Sequence, residues 1–148
     1  MSCILRFSAP NCDIDAIISK LTLKIESLYR QGEPKQIRKW GLFETSGLQI
    51  VASEAGFDAF KEQVSETTAF IKANLAELLE LGQCAQFLPG SHFLFDFGIT
   101  TRMYDVSAQR DYFPAELVSL IGKLGAGIAL SQYLSTDEEE APEDKDVS

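Results

Sequence analysis

Residues 57–82 read FDAFKEQVSETTAFIKANLAELLELG. Phe57, Phe60, Val64, Ile71, Leu75 and Leu78 recur there at spacings of three, four and seven, the stripe of an amphipathic helix, with Thr67 and Thr68 bridging the middle turn. The spacing predicts one helix over 57–81 with Gly82 as its C-terminal stop. At about 1.5 Å per residue it would run roughly 37 Å, the width of a small sheet. Such a helix requires a sheet to cover.

The flanking sequence supplies that sheet. Residues 3–8 alternate Cys3, Leu5 and Phe7 against Ile4, Arg6 and Ser8, and residues 48–53 alternate Leu48, Ile50 and Ala52 against Gln49, Val51 and Ser53. The strongest strand is 92–100, where Phe93, Phe95, Phe97 and Ile99 share one face and Asp96, Gly98 and Thr100 the other. Burying each phenylalanine contributes on the order of 1.5 to 3 kcal/mol before entropy is subtracted, so this strand is expected to be central. A last strand is expected at 127–134, and two short irregular ones within 23–43, around a turn at Gln31-Gly32-Glu33-Pro34.

Two further helices are expected. Asn11 reads as an N-cap before a stripe of Ile14, Ile17, Ile18 and Leu21, and Pro114 as the first helical position before Leu117, Leu120, Ile121 and Leu124, with Gly125 as the stop. Residues 83–90 read as a loop, and 102–112 as a loop or an edge strand followed by a loop. Helices that alternate with strands yet carry one apolar stripe each predict an α+β fold. The expected form is a two-layer sandwich, a mainly antiparallel or mixed sheet of about five to six strands with three helices on one face. A doubly wound sheet would need strands apolar on both faces, which Arg6 and Asp96 oppose.

The 148 residues make one domain, expected over 1–135, followed by an acidic disordered tail over 136–148. That tail, TDEEEAPEDKDVS, holds seven acids against Lys145, a net of -6 out of the chain's -9, so the body carries only -3. A terminal block of like charge without aromatic residues favours solvation over folding. No basic stripe answers a phosphate backbone, so nucleic acid is not an expected partner. No apolar run reaches membrane-spanning length, and the first residues, with Arg6 inside their apolar run, do not read as a signal peptide. A cytoplasmic protein is expected.

The chain carries no catalytic or ligand-binding motif. Neither a dinucleotide-binding G-x-G-x-x-G after a strand, nor a P-loop, nor a G-x-S-x-G elbow is present. The glycines Gly122, Gly125 and Gly127 follow a helix rather than precede one, the wrong polarity for holding phosphate. Cys3, Cys12 and Cys84 share no C-x-x-C spacing and read as ordinary thiols, and His92 has no second histidine at ligand spacing. The carboxylate pairs Glu62/Glu66 and Glu77/Glu80 fall off the apolar stripe, as a solvated helix face would have them. No catalytic residue, metal site or cofactor is assigned.

Arg30-Gln31-Gly32-Glu33-Pro34, Trp40, the long helix, and Phe113-Pro114-Ala115-Glu116-Leu117 through Leu124-Gly125 to Ile128-Ala129-Leu130 resemble a group of small bacterial proteins catalogued as a domain of unknown function. The resemblance covers most of the body and implies the α+β fold, with no chemistry to carry over. In size and charge the chain is also similar to immunity proteins that neutralise bacterial toxins.

If helices cover the phenylalanine face, Arg6, Gln49, Asp96 and Tyr133 share the opposite face. The expected function is a non-enzymatic interaction module, immunity-type or regulatory, binding an unknown protein partner through that open face or an edge strand. Arg30, Arg38, Trp40 and Arg102, with Tyr29, are interface anchors provided they are exposed. The alternative is a small-molecule sensor or enzyme with a pocket between residues 23–43 and 102–112, holding Asp96, Arg102, Asp105 or His92. A homodimer through edge strands is a third expectation.

Overall fold

The computed structural model describes residues 1–134, so the acidic segment lies outside the described residues. The elements follow in order as β1 (Cys3–Ala9), α1 (Ile14–Ile18), β2 (Ser27–Tyr29), a 3-10 turn (Arg38–Trp40), β3 (Ser46–Ser53), α2 (Phe60–Ala73), α3 (Leu75–Phe87), β4 (His92–Thr100), α4 (Ala115–Lys123) and β5 (Gly127–Tyr133). The strands form one open mixed sheet in the order β2-β3-β1-β4-β5, antiparallel except for the parallel β4–β5 pair. Together with the four helices they make the expected α+β sandwich. No described helix is long and apolar enough to cross a membrane.

Every helical connection joins parallel strands. The chain passes from β1 to β2 over β3, from β3 to β4 over β1, and from β4 to its neighbour β5. The first crossover moves the opposite way along the sheet from the other two, but β1 also runs opposite to β3 and β4. The two reversals cancel. One hand of crossover, the hand imposed by strand twist, therefore puts all helices on the same face.

The core lies between that face and the helices. Leu5, Phe7, Leu48, Ile50, Phe95, Phe97 and Ile99 from the strands meet Ile71, Leu78, Leu81, Leu117 and Ile121 from the helices, each almost wholly buried. Phe60, Phe97 and Phe113 form a cluster of edge-to-face rings with centroids 5.1 to 6.0 Å apart. Gln63 is buried among them, its amide donating to the carbonyls of Gly56 (3.1 Å) and Gly98 (2.8 Å), which ties the approach to α2 onto β4.

Four expectations need correction. The single helix over 57–81 is two helices broken at Asn74, whose backbone (φ -124°, ψ 26°) leaves the helical region while its side-chain amide donates to the Phe70 carbonyl at 2.9 Å. An asparagine that competes for local backbone groups is a natural break. The second helix then runs on to Phe87, through the segment expected to be a loop. Gly82 is not a stop but an approach point, for a Cβ there would collide with the Leu124 carbonyl oxygen at the end of α4. Phe57 is not in the helix. It precedes α2 and lies on the other face of the sheet, against Gly98.

Smaller differences follow the same logic. Asp13, not Asn11, caps α1 by accepting from the Ala16 amide at 3.1 Å, while Asn11 takes a positive φ of 56° in the preceding turn, a conformation its short side chain tolerates. There are four helices rather than three, and in 23–43 only β2 is a strand, the remainder being a projecting arm closed by the Pro34–Leu42 bridge.

Candidate functional site: the open sheet face

Strand alternation sends Ile4, Arg6 and Ser8 of β1, Gln49 and Val51 of β3, and Leu94, Asp96 and Gly98 of β4 to the face away from the helices. Among the described residues no helix packs there. Two glycines instead seat aromatic rings: Tyr29 occupies the space a side chain at Gly47 would take, and Phe57 does so at Gly98. Each ring has an aromatic neighbour, Phe43 stacked on Tyr29 at 4.6 Å and Tyr133 tilted against Phe57 at 5.3 Å. The open face is thus a polar strip between two aromatic caps.

Beside the Phe57–Tyr133 cap lies a shallow cup of about 180 Å³, whose polar lining comes from Arg6, Glu26, Gln49, Asp96 and Tyr133. In the β1–β4 register Ile4 faces Asp96 and Arg6 faces Leu94, so Arg6 and Asp96 meet on the diagonal. Arg6 Nε donates to Asp96 Oδ2 at 3.0 Å, and Ser131 Oγ of β5 donates to Asp96 Oδ1 at 2.7 Å. Both carboxylate oxygens are engaged. The side chain of Asp96 is 13% exposed and that of Arg6 39%. An ion pair so placed contributes roughly 0 to 1 kcal/mol to stability. Its stronger effect is orientation: the bond through Nε fixes the guanidinium of a residue that lines the cup.

The structure therefore brings together four of the sequence-derived candidates, Arg6, Gln49, Asp96 and Tyr133, and leaves the others apart. Arg30 is held by Asp15 through two bonds of 3.1 and 2.7 Å, with Glu33 at 3.7 Å. That pairing lowers the Asp15 pKa from its usual value, chiefly by hydrogen bonding, and raises that of Arg30 for the same reason. Arg38 and Trp40 sit on the arm, where Trp40 is 59% exposed beside exposed Ile37 and Leu42. The condition set for them as anchors, exposure, is met.

Arg102 lies elsewhere, 3.5 Å from Asp111 in a cavity of about 680 Å³ that it shares with Arg110, Tyr112 and the start of α2. Residues 23–43 do not contribute to that cavity, so the pocket expected between the two segments is not formed as one site. Asp105 is exposed on the loop, and exposed His92 belongs to a different groove, near Gly125. The carboxylate pairs are split among anchoring tasks. Glu66 accepts from Ser53 and the Glu54 amide, and Glu77 accepts from the amide and hydroxyl of Thr22. Cys3, Cys12 and Cys84 are free thiols, and burial pushes Cys3 up to about 12.

Glu26, Phe57 and Ser131 of this face were not legible as candidates. Ser131 reaches Asp96 only because β5 lies parallel to β4 in a register that pairs it with Gly98. Comparison with family models, curated proteins and solved structures returned no match.

Proposed function

We propose that this protein is an interaction module that binds a protein partner through its open sheet face, in a regulatory or immunity-type role. The observation that carries the reading is the helix-free face with a preset guanidinium at its centre and aromatic caps at its ends. Partly exposed Tyr and Arg flanked by apolar surface are the residue types that dominate binding energy in interfaces. A cup of about 180 Å³ is below the roughly 300 to 1,000 Å³ of small-molecule sites. It suits one inserted side chain, with an acceptor for Arg6 and an apolar body against Phe57 and Tyr133.

Affinity capture from a native lysate with intact protein and an Arg6→Ala/Asp96→Ala variant tests this. A protein retained by the intact form and lost with the variant supports the reading, while retention by both sinks it. One observation favours a second reading, a small-molecule sensor or enzyme: the cavity at Arg102 falls in the ligand-sized range and gathers Lys61, Arg110 and Tyr112. A metabolite-induced rise in Tm that Arg110→Ala abolishes would favour it over the first.

A further inference from the structure

The two edges of the sheet are built differently. The β2 edge is three residues long, flanked by Lys24, Glu26 and Arg30, and continues into the arm. Short strands and nearby charges are the usual protection of an edge against pairing. The β5 edge is longer and carries no charge within the strand itself. Its seven residues, GIALSQY, contain no charge and no proline, and Ile128 and Leu130 are 39% and 43% exposed on the helix side of the sheet.

The helix above this edge has the same character. In α4, Leu117 and Ile121 are buried in the core, as is Leu124 just after it, and Glu116 points toward α2, where it pairs with Lys72. Helical geometry, about 100° per residue, then turns Ala115, Val118 and Gly122 to the flank away from α2. All three are exposed and uncharged, and nothing lies within 4 Å of a Cβ built on Gly122. Gly122 and Ile128 line one groove, and the edge strand and this helix flank are both free of charge on a chain of net charge -9.

We infer that this surface takes a second copy of the chain, with β5 pairing antiparallel to β5 of the other protomer and α4 packing against its counterpart. The inference goes beyond the open-face reading and does not depend on it. Three features select a second copy. First, the surface is self-complementary: a two-fold axis through Leu130 sets Leu130 against itself and Ile128 against Gln132, with no like charges opposed.

Second, the spacing fits. The helix of a βαβ unit lies over the two strands it joins, so α4 sits about one strand spacing from such an axis. The two helices would be roughly 9.6 Å apart, two spacings of about 4.8 Å, which is within the 8 to 10 Å of packed helices. Small side chains at Ala115 and Gly122 permit that approach.

Third, the acidic segment begins directly after β5, with Asp137 three residues beyond Leu134. Antiparallel pairing sets the two Tyr133 ends of β5 roughly 20 Å apart at about 3.3 Å per residue, more than twice the screening length of about 8 Å in physiological salt, so the pairing does not itself bring like charges together. Closure at two follows, because the β2 edges left outside are the protected ones.

Sedimentation equilibrium of the full chain is the test. The expected mass is twice 16.4 kDa, and Leu130→Arg and Gly122→Glu are each expected to weaken the dimer at least tenfold. Gly122→Glu improves helix propensity at a site with room for the side chain, so loss of the dimer there is not loss of fold. Leu42→Arg, on the distant arm, is the control and leaves the mass unchanged. A mass of 16.4 kDa up to about 0.5 mM overturns the inference, as does a dimer indifferent to both edge variants or sensitive to Leu42→Arg. A full chain that is monomeric while a form ending at Ser135 dimerises also overturns it, because the chain's own terminus then covers the edge.

Discussion

The two faces of β4 differ in bulk, phenylalanines and Ile99 on one and Leu94, Asp96 and Gly98 on the other, and a change on each has a different consequence. On the helix side Phe93, Phe95 and Phe97 are at most 7% exposed and belong to the same buried cluster as the helix side chains. On the other side Leu94 and Asp96 are only half-buried, and the ring over Gly98 belongs to a residue 43% exposed. Backbone, strand and twist are common to both. What differs is whether neighbours can move aside, so a change on the helix face should be felt as stability and one on the open face as binding.

The largest expected effect is on the closed side. Phe95→Ala should cost about 3 to 5 kcal/mol in urea unfolding, because a fully buried ring leaves a cavity that fixed neighbours cannot fill. A loss below about 1 kcal/mol would mean that the helix layer is looser than drawn.

The sharper contrast is a matched pair of glycines. Gly82→Ala presses a methyl into the Leu124 backbone carbonyl, which cannot rotate away, and should cost about 1 to 3 kcal/mol or more. Gly98→Ala meets Phe57 at 2.6 Å, but that contact is a partly exposed ring free to swing outward. Its cost should stay within about 1 kcal/mol, while the displaced ring alters the cup and any binding there. Equal costs for the two substitutions would erase the distinction between the faces.

Asp96→Ala removes the acceptor for both Arg6 and Ser131 and should cost about 1 to 2 kcal/mol, with partner capture falling far more than stability. Arg6→Lys should retain most of the stability and still lose capture, since an ammonium cannot keep one donor on Asp96 while presenting a planar fork.

The smallest effect is titrational. Cys3 on the closed face has its thiol raised from 9.0 to about 12 by burial. The unfolded chain ionises it first, so its contribution is intact below about pH 9 and lost as pH climbs from 9 toward 12, about 1 kcal/mol by pH 10. Melting curves of the wild type and Cys3→Ala at pH 7 and 10 should show a smaller loss in the variant. In the folded protein, thiol reagents should label Cys12 and Cys84 and spare Cys3.

Much of this was readable in the chain. The alternation at 3–8, 48–53 and 92–100 placed each strand and named its inward residues, because a period of two has one interpretation when one face is greasy. The same alternation put Arg6, Gln49 and Asp96 on one face. Residues 57–82 misled in an instructive way. Phe57 fits the helical stripe by spacing, and Gly82 follows the last stripe residue as a stop would, yet one is a lid on the far face and the other a close contact between helices. Periodicity reports which residues need burial and says nothing about which surface buries them.

The sequence by itself determined the two-layer architecture, the polarity of the two sheet faces and the concentration of charge after residue 135, for these depend on local pattern and composition. Only the tertiary structure decided the strand order, the parallel pairing that delivers Ser131 to Asp96, the seats at Gly47 and Gly98, and which strands lie at the two edges of the sheet. Those are relations between segments far apart in the chain, fixed by how crossovers of one hand pack onto one face, and no window of neighbouring residues contains them.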